Sequence, residues 1–255
     1  MGTLMKREPF QGLMTVLRFN WHFFVLALVG ILALPLLSWW LAPAYLTIAA
    51  AASAVGFLTI ITSMAATLHA YDLSGLYVLR WLDPWMSGAG TGANIHSGFD
   101  ESSELLRERY PGVNWHVFDF YDPAKHTEIS IRRARAAHPA HPGTVKATTS
   151  HIPLEDHSLD RAVLMLAAHE IREHGERVTF FRELYRVLSE DGFVIVTEHL
   201  RDFSNIIAYT MGAWHFHPRS EWLATFAEAG FHVAAETKNN LLITTFILHK
   251  HGTSS

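Results

Sequence analysis

The sequence predicts an α/β protein, a seven-stranded, doubly wound sheet preceded by a helical hairpin long enough to span a bilayer. Three observations carry this expectation. From Phe19 to Tyr71 there is no Asp, Glu, Lys or Arg. From Ala93 onward, short apolar runs suited to buried strands alternate with runs of helical period, the pattern of a mostly parallel sheet covered on both faces. The last two strand-like runs are separated only by Lys238-Asn239-Asn240, short enough to close them as an antiparallel hairpin.

A chain of 255 residues has room for one such domain and a small appendage. The expected division is an interfacial amphipathic segment over 1–20, the transmembrane hairpin over 21–70, a collar and linker over 71–92, and the α/β domain over 93–255. The formal charge is −4 and no basic stripe is present, which argues against nucleic acid as a partner. The chain contains no cysteine, so disulfides, thiolate zinc sites and cysteine nucleophiles are excluded. Charged residues make up only 17%, low for a wholly soluble protein.

Within the hairpin, Phe10, Leu13, Met14 and Leu17 have the spacing of a short helix lying at the interface over Phe10 to Phe19. The first apolar run, Trp21 to Leu41, and the second, Tyr45 to His69, each exceed the roughly 20 residues a span requires, and Ala42-Pro43-Ala44 is the turn between them. Pro35 should kink the first span. Trp21, Trp39, Trp40, Tyr45 and Tyr71 stand at the ends, where an aromatic belt belongs. Lys6, Arg7 and Arg18 precede the first span and Arg80 follows the second, so the positive-inside rule places both ends and the α/β domain in the cytoplasm. Leu73 to Met86 is apolar and aromatic. It reads equally as a collar at the membrane or as a helix packed on the domain. Ser87 to Gly92 is glycine-rich but follows no strand, so it is read as a linker rather than a phosphate loop.

The expected strands are Asn94 to Ser97, Trp115 to Phe118, Val145 to Thr148, Arg161 to Leu166, Phe193 to Thr197, His232 to Glu236 and Leu241 to Leu248. Helices are expected over Glu101 to Tyr110, Pro123 to Ala137, Arg177 to Ser189 and Ser220 to Ala229, with Glu190-Asp191-Gly192 as a turn.

The run Ile152-Pro153-Leu154-Glu155-Asp156-His157-Ser158-Leu159-Asp160, the strand Arg161 to Leu166 with its exit Ala167-Ala168-His169-Glu170-Ile171, and the helix Phe181-Arg182-Glu183-Leu184-Tyr185-Arg186-Val187-Leu188 ending in Ser189-Glu190-Asp191-Gly192 follow one another in order. From Ala93 to His249 this resembles the class I S-adenosylmethionine-dependent methyltransferases. The family's glycine-rich cofactor motif is matched by Asn94-Ile95-His96-Ser97-Gly98-Phe99-Asp100-Glu101-Ser102, in which only Gly98 remains of the glycines and His96 replaces the usual acid. The resemblance implies S-adenosyl-L-methionine as cofactor, bound by Gly98, Asp100, Asp119, Phe120, Thr148, Thr149, Leu166 and Ala168. Asp119 would accept hydrogen bonds from ribose hydroxyls, or merely cap the next segment, and Phe120 or Tyr121 would stack on adenine. Asp100 and Glu101 suit the positive end of the next helix, so capping is their simplest role. A nicotinamide site is disfavoured because Gly-x-Gly-x-x-Gly is absent.

His169 and Glu170 are the residues the resemblance implies for catalysis, His169 as a base or, alternatively, as a helix cap. Glu198 and His199 are a second pair at the same edge. No metal is expected. The histidines of His169-Glu170-Ile171-Arg172-Glu173-His174 are five apart rather than the four of a zincin helix, and the 17 histidines are mostly read as scattered surface residues. His215-Phe216-His217, if extended, would put two imidazoles on one side. The function expected is methylation of a hydrophobic small molecule, a lipid or quinone-like compound, drawn from the bilayer. Two alternatives stand beside it: a non-catalytic, membrane-tethered binding or scaffold module, and metal-assisted group transfer to a quinone on the same fold.

Overall fold

A computed structural model describes residues 7–252; Lys6, one of the cations flanking the hairpin, lies outside them. Helix α1, Gln11–Leu41, is a single helix of 31 residues. The interfacial helix expected over Phe10 to Phe19 is its first part rather than a separate element, because nothing between Phe19 and Trp21 interrupts the backbone ladder. Pro35 lies within it. A short turn, Pro43–Tyr45, leads into α2, Leu46–Leu68, which runs on into one wide π turn over His69–Leu73. Both helices are long and apolar enough to cross a membrane, and the most apolar stretch of α1 has no buried residues.

The base of the hairpin is closed by Asp72. Its two carboxylate oxygens accept the backbone N–H groups of Gly12 at 2.7 Å and Leu13 at 2.9 Å, donors that the first turn of a helix leaves unpaired. Gly12 is required for this approach, since a Cβ there would lie 2.3 Å from the Cβ of Tyr71.

The α/β domain follows as β1 Gly90–His96, α3 Ser103–Arg109, β2 Val113–Asp119, α4 Ile129–Ala137, β3 Thr144–Lys146, β4 Leu159–Met165, α5 His174–Val187, β5 Leu188–His199, α6 Phe203–Tyr209, α7 Arg219–Glu228, β6 Phe231–Lys238 and β7 Ile243–Lys250. The sheet has seven strands in the order β3-β2-β1-β4-β5-β7-β6. Strands β1 to β5 pair in parallel, while β7 runs antiparallel to both β5 and β6. One face buries Phe118, Leu164 and Val196 against Phe180 and Phe181 of α5 and Trp222 and Phe226 of α7. The other buries Val163, Ile195 and Ile247 with Leu106 of α3 and with Leu76, Leu79, Leu82 and Met86. The segment between hairpin and β1 therefore packs on the sheet.

Several boundaries differ from expectation for identifiable reasons. Gly90-Thr91-Gly92, read as linker, opens β1, where Gly92 packs against Val113 and Trp115 so closely that a Cβ would fall 2.8 Å from Val113. Glu190-Asp191-Gly192 is not a turn but part of β5, where the pairing with β4 is irregular between Leu159 and Arg161. The helix expected from Pro123 begins only at Ile129. Helix α6 was not anticipated; Asp202 caps it by accepting the Asn205 N–H at 3.0 Å.

Asp72→Ala in the full chain is expected to remove about 1–2 kcal/mol, lowering the melting temperature in detergent by about 5 °C, with Asp72→Asn restoring most of the loss. Unchanged melting in Asp72→Ala would refute this role for the carboxylate.

Candidate functional site

In an open α/β sheet, ligands lie beyond the carboxyl ends of the strands, where the chain's winding reverses. Here that point falls between β1 and β4, since β1 leads outward to β2 and β3 while β4 leads the other way to β5. His96 and Asp119 end β1 and β2 as register partners, so the loops that follow them face one another.

The loop after β1 is a compact polar knot. Gly98 adopts φ +94°, a conformation that favours glycine, and donates its N–H to Nδ1 of His96 at 3.1 Å. Asp100 is partly engaged within its own loop. Its Oδ1 accepts the N–H groups of Ser102 and Ser103, each at 3.0 Å, and so caps α3. Ser102 and Ser103 in turn accept the Asn94 side-chain amide at 2.9 and 2.7 Å. Glu101 points away. It takes Arg7 at 3.0 Å and the Tyr77 hydroxyl at 2.8 Å, tying the hairpin's start to this loop. On the outer side, Phe99 packs edge-on against Phe19 of α1, with ring centroids 5.9 Å apart, and Arg133 of α4 donates to the Phe19 carbonyl at 2.7 Å.

Asp119 is buried at the end of β2. Its Oδ1 accepts the Tyr121 N–H at 2.8 Å, and its Oδ2 is held by Arg135 at 2.5 Å. The same guanidinium lies over the Tyr121 ring, 4.4 Å from its centroid, and covers Gly98, where a Cβ would meet Arg135 Nη1 at 2.6 Å. Arg135 thus covers Asp119 and Gly98, two of the expected cofactor residues.

The other expected cofactor residues are dispersed. Phe120 is in the core, 5.1 Å from Phe180 between ring centroids, so its ring is not offered to a ligand. Thr148 is exposed and bridges to His151. Thr149 is buried, with its hydroxyl on Glu176. Leu166 leaves β4 at φ +51°, a left-handed conformation that a leucine rarely adopts, and Ala168 is fully buried beneath it.

At the ends of β4 and β5 the titratable residues converge. Glu198 is fully buried; its Oε1 accepts the N–H groups of Ala167 at 3.1 Å and His169 at 3.2 Å, and its Oε2 meets His169 Nδ1 at 2.7 Å. Nε2 of His169 faces Glu170 at 3.5 Å, and Nε2 of His215 faces the same Glu170 oxygen at 3.8 Å. Burial alone would push the His169 imidazole down, but the Glu198 charge and the hydrogen bonds to Glu170 and Glu198 outweigh it and hold the group up at about 10. Burial likewise pushes Glu170 up, and its bonds to His169 and His215 hold it well below the usual carboxylate range. His217 points elsewhere, to Arg177 at 3.1 Å, so the two imidazoles of His215-Phe216-His217 do not act together. His199 is buried with Nδ1 on the Leu242 carbonyl and Asn205 Oδ1, each at 3.0 Å, and Nε2 on the Tyr71 hydroxyl at 2.9 Å.

Residues 97–196 match the model of the methyltransferase domain family. A SAM-dependent methyltransferase from Aquifex aeolicus is similar over 69% of this chain and 93% of its own, at 14% identity and a TM-score of 0.50. A protein from Pyrococcus horikoshii is similar over 68% of this chain and 89% of its own, at 15% identity and a TM-score of 0.50. The fold is that of S-adenosylmethionine-dependent methyltransferases. No curated protein matches the sequence. The domain match and the shared fold support S-adenosylmethionine as the cofactor.

The loop fits such a ligand in its chemistry. His96 Nε2, Asp100 Oδ2 and Asn94 Oδ1 are buried there without a hydrogen-bond partner, a costly state that a polar ligand relieves. Arg135 obstructs the approach to Asp119 and Gly98 with a flexible side chain rather than backbone. Arg135→Ala is expected to tighten S-adenosylmethionine binding about fivefold, by about 1 kcal/mol, as read by calorimetry. Weaker binding in the variant would show that the guanidinium serves the ligand instead of competing with it.

His199 gives a second expectation. Burial pushes its imidazole down to about 4. The unfolded chain takes up this proton near pH 6.5, so the residue's contribution is complete above that pH and is lost as pH falls from about 6.5 towards 4. His199→Gln should flatten the acid limb of the stability–pH curve by up to about 3 kcal/mol between pH 7 and 4. Parallel curves for variant and parent would rule this out.

Proposed function

We propose that this chain is a membrane-anchored S-adenosylmethionine-dependent methyltransferase whose acceptor is a hydrophobic small molecule, a lipid or quinone-like compound taken from the bilayer. The observation that carries the reading is an apolar surface between the hairpin and the cluster at the sheet edge. Helix α6 packs beside α2, and Phe203, Met211 and Trp214 on it and on the turn behind it are 77%, 84% and 70% exposed. Large apolar side chains so exposed on one short segment mark a surface that meets lipid or a partner. His215, the next residue after Trp214, stands against His169, with ring centroids 5.1 Å apart. An acceptor lying among lipid chains along α6 is therefore delivered to the titratable cluster without crossing water.

The bilayer placement rests on length and exposure. Both hairpin helices turn apolar side chains such as Leu26, Leu36, Trp40, Ile48 and Leu58 outward, where a soluble protein would bury them. Arg7, Arg18 and Arg80 lie at the end of the hairpin that carries the α/β domain, which supports a cytoplasmic domain.

When bound, the cofactor supplies an electrophilic methyl group. The chain's own residues have two tasks. Asp119, released from Arg135, holds ribose hydroxyls. His169 and Glu170, fixed by Glu198, orient the acceptor, and alignment is the main requirement of such a transfer. A second reading, a tethered module that binds without catalysis, is favoured by the Arg135–Asp119 ion pair and the loss of the usual glycines around Gly98.

Calorimetry of the detergent-purified chain should give saturable S-adenosylmethionine binding that Asp119→Ala weakens at least about tenfold. No heat and no thermal shift at millimolar ligand, in the parent and in Arg135→Ala alike, would leave only the binding module. Replacing Met211 and Trp214 together by Ser should raise the KM for a membrane-embedded acceptor without altering cofactor affinity. An unchanged KM would disconnect that surface from substrate entry.

A further inference from the structure

The edge cluster has an organisation that neither cofactor binding nor acceptor orientation demands. We propose that His169, Glu170 and His215 are the ligands of a divalent transition-metal ion, of the class for which Zn2+ is the simplest probe.

The ligand atoms of the three side chains lie within 4.8 Å of one another. Two of the separations are given by Glu170 Oε1, 3.5 Å from His169 Nε2 and 3.8 Å from His215 Nε2. Ligands about 2.1 Å from a tetrahedral ion stand about 3.4 Å apart, so the two His–Glu separations are close to that spacing and the two imidazoles, within 4.8 Å of one another, close on the ion as it binds.

His169 is already oriented through its other nitrogen, and a carboxylate stands beside the corresponding nitrogen of His215. Glu198 Oε2 lies 2.7 Å from His169 Nδ1, and Glu128 Oε1 lies 2.8 Å from His215 Nδ1. A carboxylate behind each ligating histidine is the arrangement that fixes the tautomer and turns the Nε2 lone pair to a metal. Arg172 Nη2 donates to His215 Nδ1 at 3.0 Å while its Nη1 is held by the carbonyl oxygens of His169 and His215, so Nη2 releases Nδ1, whose proton turns to Glu128, when the ion binds.

The charges agree. Glu128, Glu170 and Glu198 bring three negative charges and Arg172 one positive, so once the ion has displaced the His169 proton and both imidazoles are neutral, the excess of two negative charges is balanced by a divalent cation. Two nitrogens and one carboxylate suit Zn2+, Mn2+ or Fe2+ better than Mg2+ or Ca2+, which prefer all-oxygen sites. Three protein ligands leave a fourth position, characteristic of catalytic rather than closed structural sites. That this position takes an oxygen of the acceptor rests on the methyltransferase reading; binding of the ion does not.

The test uses the full chain, purified in detergent without a histidine tag, stripped with chelator and titrated with Zn2+ alone. One equivalent should bind, measured by elemental analysis after desalting, with a rise in melting temperature. His215→Ala, at a partly exposed position that tolerates truncation, should weaken this site at least about 100-fold, and Glu128→Gln about tenfold. Glu170→Gln provides a second loss-of-ligand variant. The proposal is overturned if the parent retains no stoichiometric zinc, or if His215→Ala and Glu170→Gln bind as tightly as the parent, which would assign the metal to surface histidines. None of these measurements involves S-adenosylmethionine, so the outcome is independent of whether that cofactor binds.

Discussion

The buried carboxylate of Glu198 is the constraint on which the candidate site depends. An ionised side chain with no solvent exposure persists only if its lone pairs are fully used. Glu198 meets that condition with two backbone N–H groups and one imidazole, all from the single loop that leaves β4. The loop is thereby held in a course that includes a left-handed Leu166, a conformation that local preference would not select. His169 and Glu170 are carried into place by the same hold. Glu198 is itself fixed because β5 is a central strand, hydrogen-bonded to β4 on one side and β7 on the other.

A second set of carboxylates joins the hairpin to this domain. Asp72 closes the base of the two helices, and Glu101 gathers Arg7 and Tyr77 onto the loop after β1. Tyr71, in the wide turn that ends α2, reaches His199 at the end of β5. The apolar helices are therefore built into the domain rather than strung from it, and the segment between them and β1 supplies part of the core.

Much of this architecture was legible in the chain. The uncharged stretch, the strand and helix periods and the antiparallel closing pair each depend on local pattern, and local pattern survives folding. Three things were not legible, each for a physical reason. The start of β1 is Gly90-Thr91-Gly92, which has no alternation to read because it packs by lacking side chains. Helix α6 carries its large apolar residues outward, so a reading that turns apolar residues inward has no inner face to find. The partnerships of His169 with Glu198 and His215, and of Asp119 with Arg135, are made by the sheet edge from separate segments. No spacing rule foretells them. Gly98, Asp119, His169 and Glu170 could be singled out one at a time; what each touches could not.

Phe19 links the two halves of the molecule in a further way. Its ring stands edge-on to Phe99 and His138, and its carbonyl accepts a hydrogen bond from Arg133. Helix α1 continues unbroken past this contact to Leu41. A stiff rod gripped near one end transmits any change in its inclination to whatever grips it, so the tilt of the hairpin and the posture of the loop at Gly98 form one mechanical system.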